Sequence, residues 1–278
     1  MLKMTTREGH EFFTFQSVVE INEYVDKAKI EKYLESSSGN AGRSFRNFLE
    51  LETATKEAWN EGLLTMNDFI EKLEKAELPK IKDLKVKKVF NSSEGEIDFD
   101  RLMAGNPDHY LKTVSEKGEG NPEVTICIDT AAPWSVSATD VLWRGAAAIA
   151  LVKVLEAQGY RTEVWTLSGS SIYENHPDRG VVAAACLKRP GDPLDISTLI
   201  NTVSAWFFRY ETFAMFATIA MKENQDLSPS LGQHYTPTQS DLDLLTTDQK
   251  RVYSAGVFSF NGALSLMLNE LTKIANEE

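Results

Sequence analysis

Apolar residues first recur at helical spacing in "SVVEINEYVDKAKIEKYLE", where Val18, Ile21 and Val25, and less regularly Ile30 and Leu34, predict a helix. A second helix is expected over Asn47–Glu61, anchored by Phe48, Leu51 and Trp59, with Gly62 as its stop. A third is expected over Met66–Leu78, with Asn67 as cap and Pro79 ending it. The first 78 positions therefore read as a helical, charged part. The pattern then changes period. In "PKIKDLKVKKVF" (79–90), Ile81, Leu84, Val86 and, less regularly, Val89 alternate with lysines, which predicts a strand with one apolar and one basic face. "NSSEGE" reads as a turn. "NPDHYL" reads as a short helix capped by Asn106, with Pro107 in its first position.

The centre is more apolar. "VTICIDT" (124–130) is a continuous apolar run, as in a strand covered on both faces. "SATDVLWRGAAAIALVKVLEAQGY" (137–160) predicts a long helix opening on a Ser137/Asp140 capping box and closing at Gly159. "RTEVWTL" (161–167) is the next strand, and strand–helix–strand at this spacing is a βαβ unit with parallel strands. "VVAAACLK" (181–188) adds a strand, and "DISTLINTV" and "AWFFRYETFAMFATIAMK" continue as helices. A polar loop covers 223–241. The last stretch, "KRVYSAGVFSFNGALSLMLNELTKIA", reads as helical and apolar enough for either a core position or a homo-oligomer contact. The expectation is one α/β (mixed) domain over 1–278: a helical part to about 78, then a core containing a small central sheet covered by helices. Five short strands with barrel turns cannot be placed, so an OB fold is not expected.

Composition narrows the chemistry. The 278 residues are 42% hydrophobic and 10% aromatic, ordinary for a globular chain. Met1–His10 carries charges and lacks the apolar core of a signal peptide, and no apolar run reaches the roughly 18 residues of a membrane span. A soluble protein acting in the cytoplasm is expected. Cys127 and Cys186 lie in apolar runs and read as buried thiols, with no CxxC or Cys/His cluster to suggest zinc. The formal charge of −12 repels nucleic acid overall, which leaves local clustering of cations as the question.

One cluster stands in "SSSGNAGRSFRNF" (36–48). It is not a Walker motif, because the glycines are too close, Arg43 stands where lysine is needed and no strand precedes it. Arg43 and Arg46 suit phosphate, with Phe45 beside them for stacking; a linker leading into a helix is the other reading. A second cluster is Lys80, Lys82, Lys85, Lys87 and Lys88, closed by Phe90. Lysines that track phosphates beside a ring that stacks on bases are what single-strand binding needs, and an edge strand kept soluble by lysines gives the same pattern. "DTAAPWSVS", after the first central strand, resembles the metal-site loop of von Willebrand A-type domains. Thr130 and Ala131 follow Asp129, and Ser135 and Ser137 come too late, so no metal is expected; Trp134 is a candidate stacking residue. Catalytic signals are poor. His10, His109, His176 and His234 are scattered, Asp98 and Asp100 read as turn acids, and Glu163 in "TEVWTL" lacks the following lysine of a nuclease. No enzyme activity and no cofactor is expected.

"LWRGAAAIALVKVLEAQGYRTEVW" and "AGRSFRNFLELETATKEAWNEG" resemble segments of phage-encoded proteins. The chain as a whole, by length, acidity and scattered basic-aromatic stretches, is similar to the Drc-like single-stranded-DNA-binding RNA polymerase cofactors of podoviruses that carry their own middle-gene polymerase. The resemblance implies binding of single-stranded DNA, recruitment of the phage RNA polymerase to melted promoters, a location in the host cytoplasm and a fold unlike the OB barrel. The chain ends in "NEE" without a long acidic tail, so partner recruitment would use another surface. The competing expectation is a degenerate von Willebrand A-like scaffold that docks a protein and holds no metal.

Overall fold

The computed structural model describes residues 1–5, 10–36, 41–76, 86–93, 96–115, 122–132, 135–171, 180–226, 235–245 and 250–276. The fold is mixed α/β. Its main sheet has six strands, β1 (Leu2–Thr5), β2 (Glu11–Phe15), β6 (Glu123–Asp129), β7 (Arg161–Ser170), β8 (Val181–Lys188) and β9 (Lys250–Ser254), in the order β1-β2-β8-β7-β6-β9. A second sheet holds β3 (Val86–Asn91), β4 (Glu96–Ile97) and β5 (Tyr110–Ser115), in the order β3-β5-β4 and antiparallel throughout.

The βαβ unit is present as expected. β6 leads through α6 (Leu142–Ala157) to β7, and the two strands are parallel, with Glu123 opposite Arg161 and Asp129 opposite Leu167. β8 returns antiparallel to β7, and β9 lies parallel on the other flank of β6. Alternation along the strands sorts the core. Val124, Ile126 and Ile128 of β6, with Val181, Ala183 and Ala185 of β8 and Phe13 and Phe15 of β2, face the main helical layer. Cys127, Trp165, Val182, Ala184, Cys186 and Phe12 face the other way, under α10 (Gln239–Leu242) and Tyr235. Both thiols are free and buried.

α6 is buried on nearly every side because α4 (Asn60–Glu74), α7 (Ile196–Val203) and α11 (Phe260–Asn276) cover it. Gly145 permits that approach: a Cβ there would stand 2.7 Å from Val203 Cγ2. α1 (Val18–Tyr24), α2 (Lys27–Ser36), α3 (Phe48–Lys56) and α9 (Phe213–Lys222) cover the β2–β8 end.

Several local expectations are corrected. The N-terminal part is not purely helical, since β1 and β2 join the main sheet; all five residues of "EFFTF" are buried, which hides strand alternation. The helix expected over Asn47–Glu61 breaks at Glu57, whose backbone turns extended (ψ 152°), and α4 restarts at Asn60 and runs through Gly62 and Asn67. Gly62 serves packing instead of termination, because the Trp59 ring lies where a Cβ would be, 2.3 Å away. "NPDHYL" starts β5. The short helix precedes it as α5 (Phe99–Met103), capped by Asp98, whose Oδ1 accepts the Arg101 N–H at 3.0 Å. The Ser137–Asp140 hydrogen bonds close a turn ahead of α6. "KRVYS" in the final stretch is strand β9, and only Phe260–Asn276 is helix.

Candidate functional site

Of "SSSGNAGRSFRNF", the segment from Ala41 onward is described beyond the end of α2. Gly42 adopts a left-handed φ of 75° against Ala138, which turns the chain toward α3. Asn47 caps α3, its Oδ1 accepting the Glu50 N–H at 3.0 Å. Phe45 corrects the sequence reading. Its ring is buried edge-on to Trp206 (5.5 Å) and Tyr210 (5.6 Å) and is not available for stacking on a base. Arg43 lies over that aromatic cluster, its guanidinium 5.0 Å from the Phe45 ring and 5.8 Å from Trp206. Arg46 is exposed and pairs with Glu50: the Arg46 backbone N–H reaches one carboxylate oxygen at 2.9 Å and its guanidinium the other at 3.4 Å. Around these residues opens a groove of about 460 Å³, lined by Arg43, Phe45, Arg46, Leu49, Glu50, Thr53 and Glu57.

No described residue of the basic strand lines this groove. Lys80, Lys82 and Lys85, like Trp134, lie outside the described residues. Lys87 is in β3, in register with Val114. Lys88 is exposed, as is Phe90 at 40%, and the Arg101 guanidinium lies 3.8 Å over the Phe90 ring, donating from Nε to the Asp108 carbonyl. Val89 stands opposite Lys112 and Asn91 opposite Tyr110, whose ring touches His109. No described residue from Lys88 to Lys112 is buried. Val89, Phe90, Ile97, Phe99, Leu102 and Met103 are all exposed, Phe99 at 69% and Met103 at 85%. The sequence reading singled out Phe90 but missed Phe99, although "DFDRLM" places Phe99 and Met103 one turn apart on a short helix.

At the carboxyl end of β6, Asp129 is committed to the fold. Its Oδ1 accepts the Ala131 N–H at 2.9 Å and its Oδ2 the Tyr253 hydroxyl at 3.2 Å. Arg144, fully buried, donates to the carbonyls of Asp129 (3.1 Å), Ala131 (3.0 Å) and Val203 (2.9 Å). Burial pushes its guanidinium down to about 10, against the nearby Asp129 charge. Among the described residues no group of three or more His, Cys, Asp or Glu is placed to hold a metal ion.

The expected helix after α7 is interrupted. α8 (Ala205–Phe207) passes into a π-helical turn, Phe208–Thr212, before α9. The turn buries Glu211 completely, with neither carboxyl oxygen hydrogen-bonded among the described residues. Burial, reinforced by the charge of Glu52, pushes its carboxyl up to about 8.

His10 joins Tyr235 (2.6 Å), whose hydroxyl donates to the buried Asp241 at 2.8 Å. His176 and His234 lie outside the described residues. Asp98 is a helix cap, and Glu163 accepts from Arg189 at 2.8 Å. No helix among the described residues is long and apolar enough to cross a membrane. The family described as "Domain of unknown function (DUF7192)" matches residues 6–253. No curated protein and no solved structure matches the chain.

Proposed function

We propose that this chain, which belongs to the DUF7192 family over residues 6–253, is a non-enzymatic single-stranded-DNA-binding protein that takes the strand on its three-stranded sheet. The observation that carries the reading is the pairing of exposed cation and exposed ring there. Lys88 and Phe90 are exposed on β3, Arg101 lies 3.8 Å over Phe90, and Phe99 projects from α5. Rings offered in this way stack on any base, at about 1–3 kcal/mol each, while cations follow the phosphates. Lys80, Lys82 and Lys85 immediately precede the strand in sequence and add to its charge. In the host cytoplasm this would serve as a transcription cofactor, holding a melted promoter for the phage polymerase.

Band shifts with an unstructured thymidine oligonucleotide and a duplex of equal length, at two salt concentrations, test it. The single strand should bind more tightly, with a log–log salt slope of about −0.7 per phosphate neutralised. Phe90→Ala combined with Phe99→Ala should weaken binding at both salts, and Lys88→Gln should reduce the slope. Equal affinity for duplex, or none for either, refutes the reading.

A second reading is favoured by one specific observation. Six of the twelve exposed large apolar side chains among the described residues fall within Val89–Met103. Such a patch also suits docking of an apolar protein surface on a von Willebrand A-like scaffold without a metal. It predicts no DNA shift, and photo-crosslinking from position 99 or 103 to a single protein partner, or to a second copy of the chain.

A further inference from the structure

The groove beside α3 has a charge layout that the DNA reading does not use. Arg43 lines the groove half-buried, with no carboxylate pairing with it among the described residues. Its guanidinium is held by the faces of Phe45 and Trp206, so its donors are oriented before any ligand arrives. Leu49, in the same lining, is 69% exposed beside the Arg46–Glu50 pair, which cancels its own charge. At the carboxyl end of α3 the Glu57 carboxylate, also in the lining, has no cation paired with it among the described residues. An unpaired cation and an unpaired anion therefore face one open cleft of about 460 Å³, within the usual size range of ligand pockets.

We propose that this groove takes an extended segment of a partner protein carrying an aspartate or glutamate for Arg43, an apolar side chain for Leu49, and a lysine or arginine for Glu57. From Leu49 to Glu57 a helical rise covers about 12 Å, which an extended chain spans in about four residues. A polynucleotide fits this layout poorly. Each nucleotide adds a negative charge, and the cleft would set Glu50 and Glu57 against the backbone while offering, among the described residues, Arg43 as the unpaired cation. Arg43 on its planar fork suits a carboxylate bidentately, which lysine would not reproduce.

The proposal rests on the groove alone and is independent of the DNA reading, whose variants lie on β3 and α5. The test is NMR titration of the full chain, following the Leu49 methyl and Arg43 Nε–H signals. The probe is the hexapeptide acetyl-Asp-Leu-Ala-Ala-Ala-Lys-amide; the comparisons are acetyl-Asn-Leu-Ala-Ala-Ala-Gln-amide and tetrathymidylate. The charged peptide should give saturable shifts at both signals. Its dissociation constant should rise about tenfold or more in Arg43→Gln and in Glu57→Gln, and in the neutral peptide. Arg43→Lys, which keeps the charge over the rings, should retain the fold and still lose most of the affinity. No saturable shift at Leu49, equal affinity for the neutral peptide, or tighter binding of tetrathymidylate overturns the proposal.

Discussion

Replacing Glu211 by glutamine should remove most of the pH dependence of stability between pH 5 and pH 8. The folded protein raises this carboxyl from 4.5 to about 8, chiefly by desolvation and secondarily through Glu52. Between those values the native state keeps a proton that the unfolded chain releases. Stability is thus intact below the unfolded value and is lost as pH climbs to the folded one. At about 1.4 kcal/mol per pH unit, the native chain should lose about 3–4 kcal/mol from pH 5 to pH 8 through this group. The magnitude is plausible because the side chain is fully buried and neither oxygen finds a hydrogen-bond partner among the described residues. Urea denaturation at four pH values, for the native chain and for Glu211→Gln, reads it directly. The amide does not titrate, so the two curves should approach each other at pH 5 and separate as pH rises, the variant being the more stable at pH 8. A variant curve that keeps the native slope would show that Glu211 is not the group responsible, and a flat native curve would show that no such proton is held.

Arg144→Met should cost roughly 3 kcal/mol or more in the same denaturation assay, because three buried carbonyls lose their donor at once. The loss should appear without a change in the denaturant slope. Cys127, whose thiol burial pushes up to about 12, should resist an aromatic disulfide reagent at pH 8 by on the order of a thousandfold relative to a free thiol. Both cysteines should react promptly once the chain is unfolded, and fast reaction of Cys127 in the native protein would contradict its burial.

The βαβ unit was legible because "VTICIDT" is apolar on consecutive positions and the helix after it has a clear start and stop. The flanking strands were not. "EFFTF" is covered on both faces, so it shows no alternation, and "KRVYS" is five residues long with polar members at its start. Gly62 looked like a terminator because sequence shows a missing side chain but not the Trp59 ring that fills the space. The site was half legible. Basic residues beside aromatic ones drew attention to both Arg43–Phe48 and Lys80–Phe90, and nothing local tells whether a ring turns inward. Phe45 is drawn into the Trp206 cluster by burial, whereas Phe90 sits on a small sheet where none of the described side chains from Lys88 to Lys112 is buried. Arg144, a lone charge inside an apolar helical run, and Glu211, which shares its run with Arg209, carried a readable signal whose meaning depends on the helices packed around them.

The partnership of β2 with β8 bears on how the molecule comes to be made. Glu11 lies opposite Val181, 170 positions further along the chain. During synthesis the Phe-rich strand therefore leaves the ribosome with only β1 to pair with, long before its other neighbour exists, and must wait with that greasy edge open for most of the polypeptide to follow. Closure of so long a loop is intrinsically slow. The interval before β8 emerges is when this protein is most exposed to aggregation, and when a chaperone would have the most to protect.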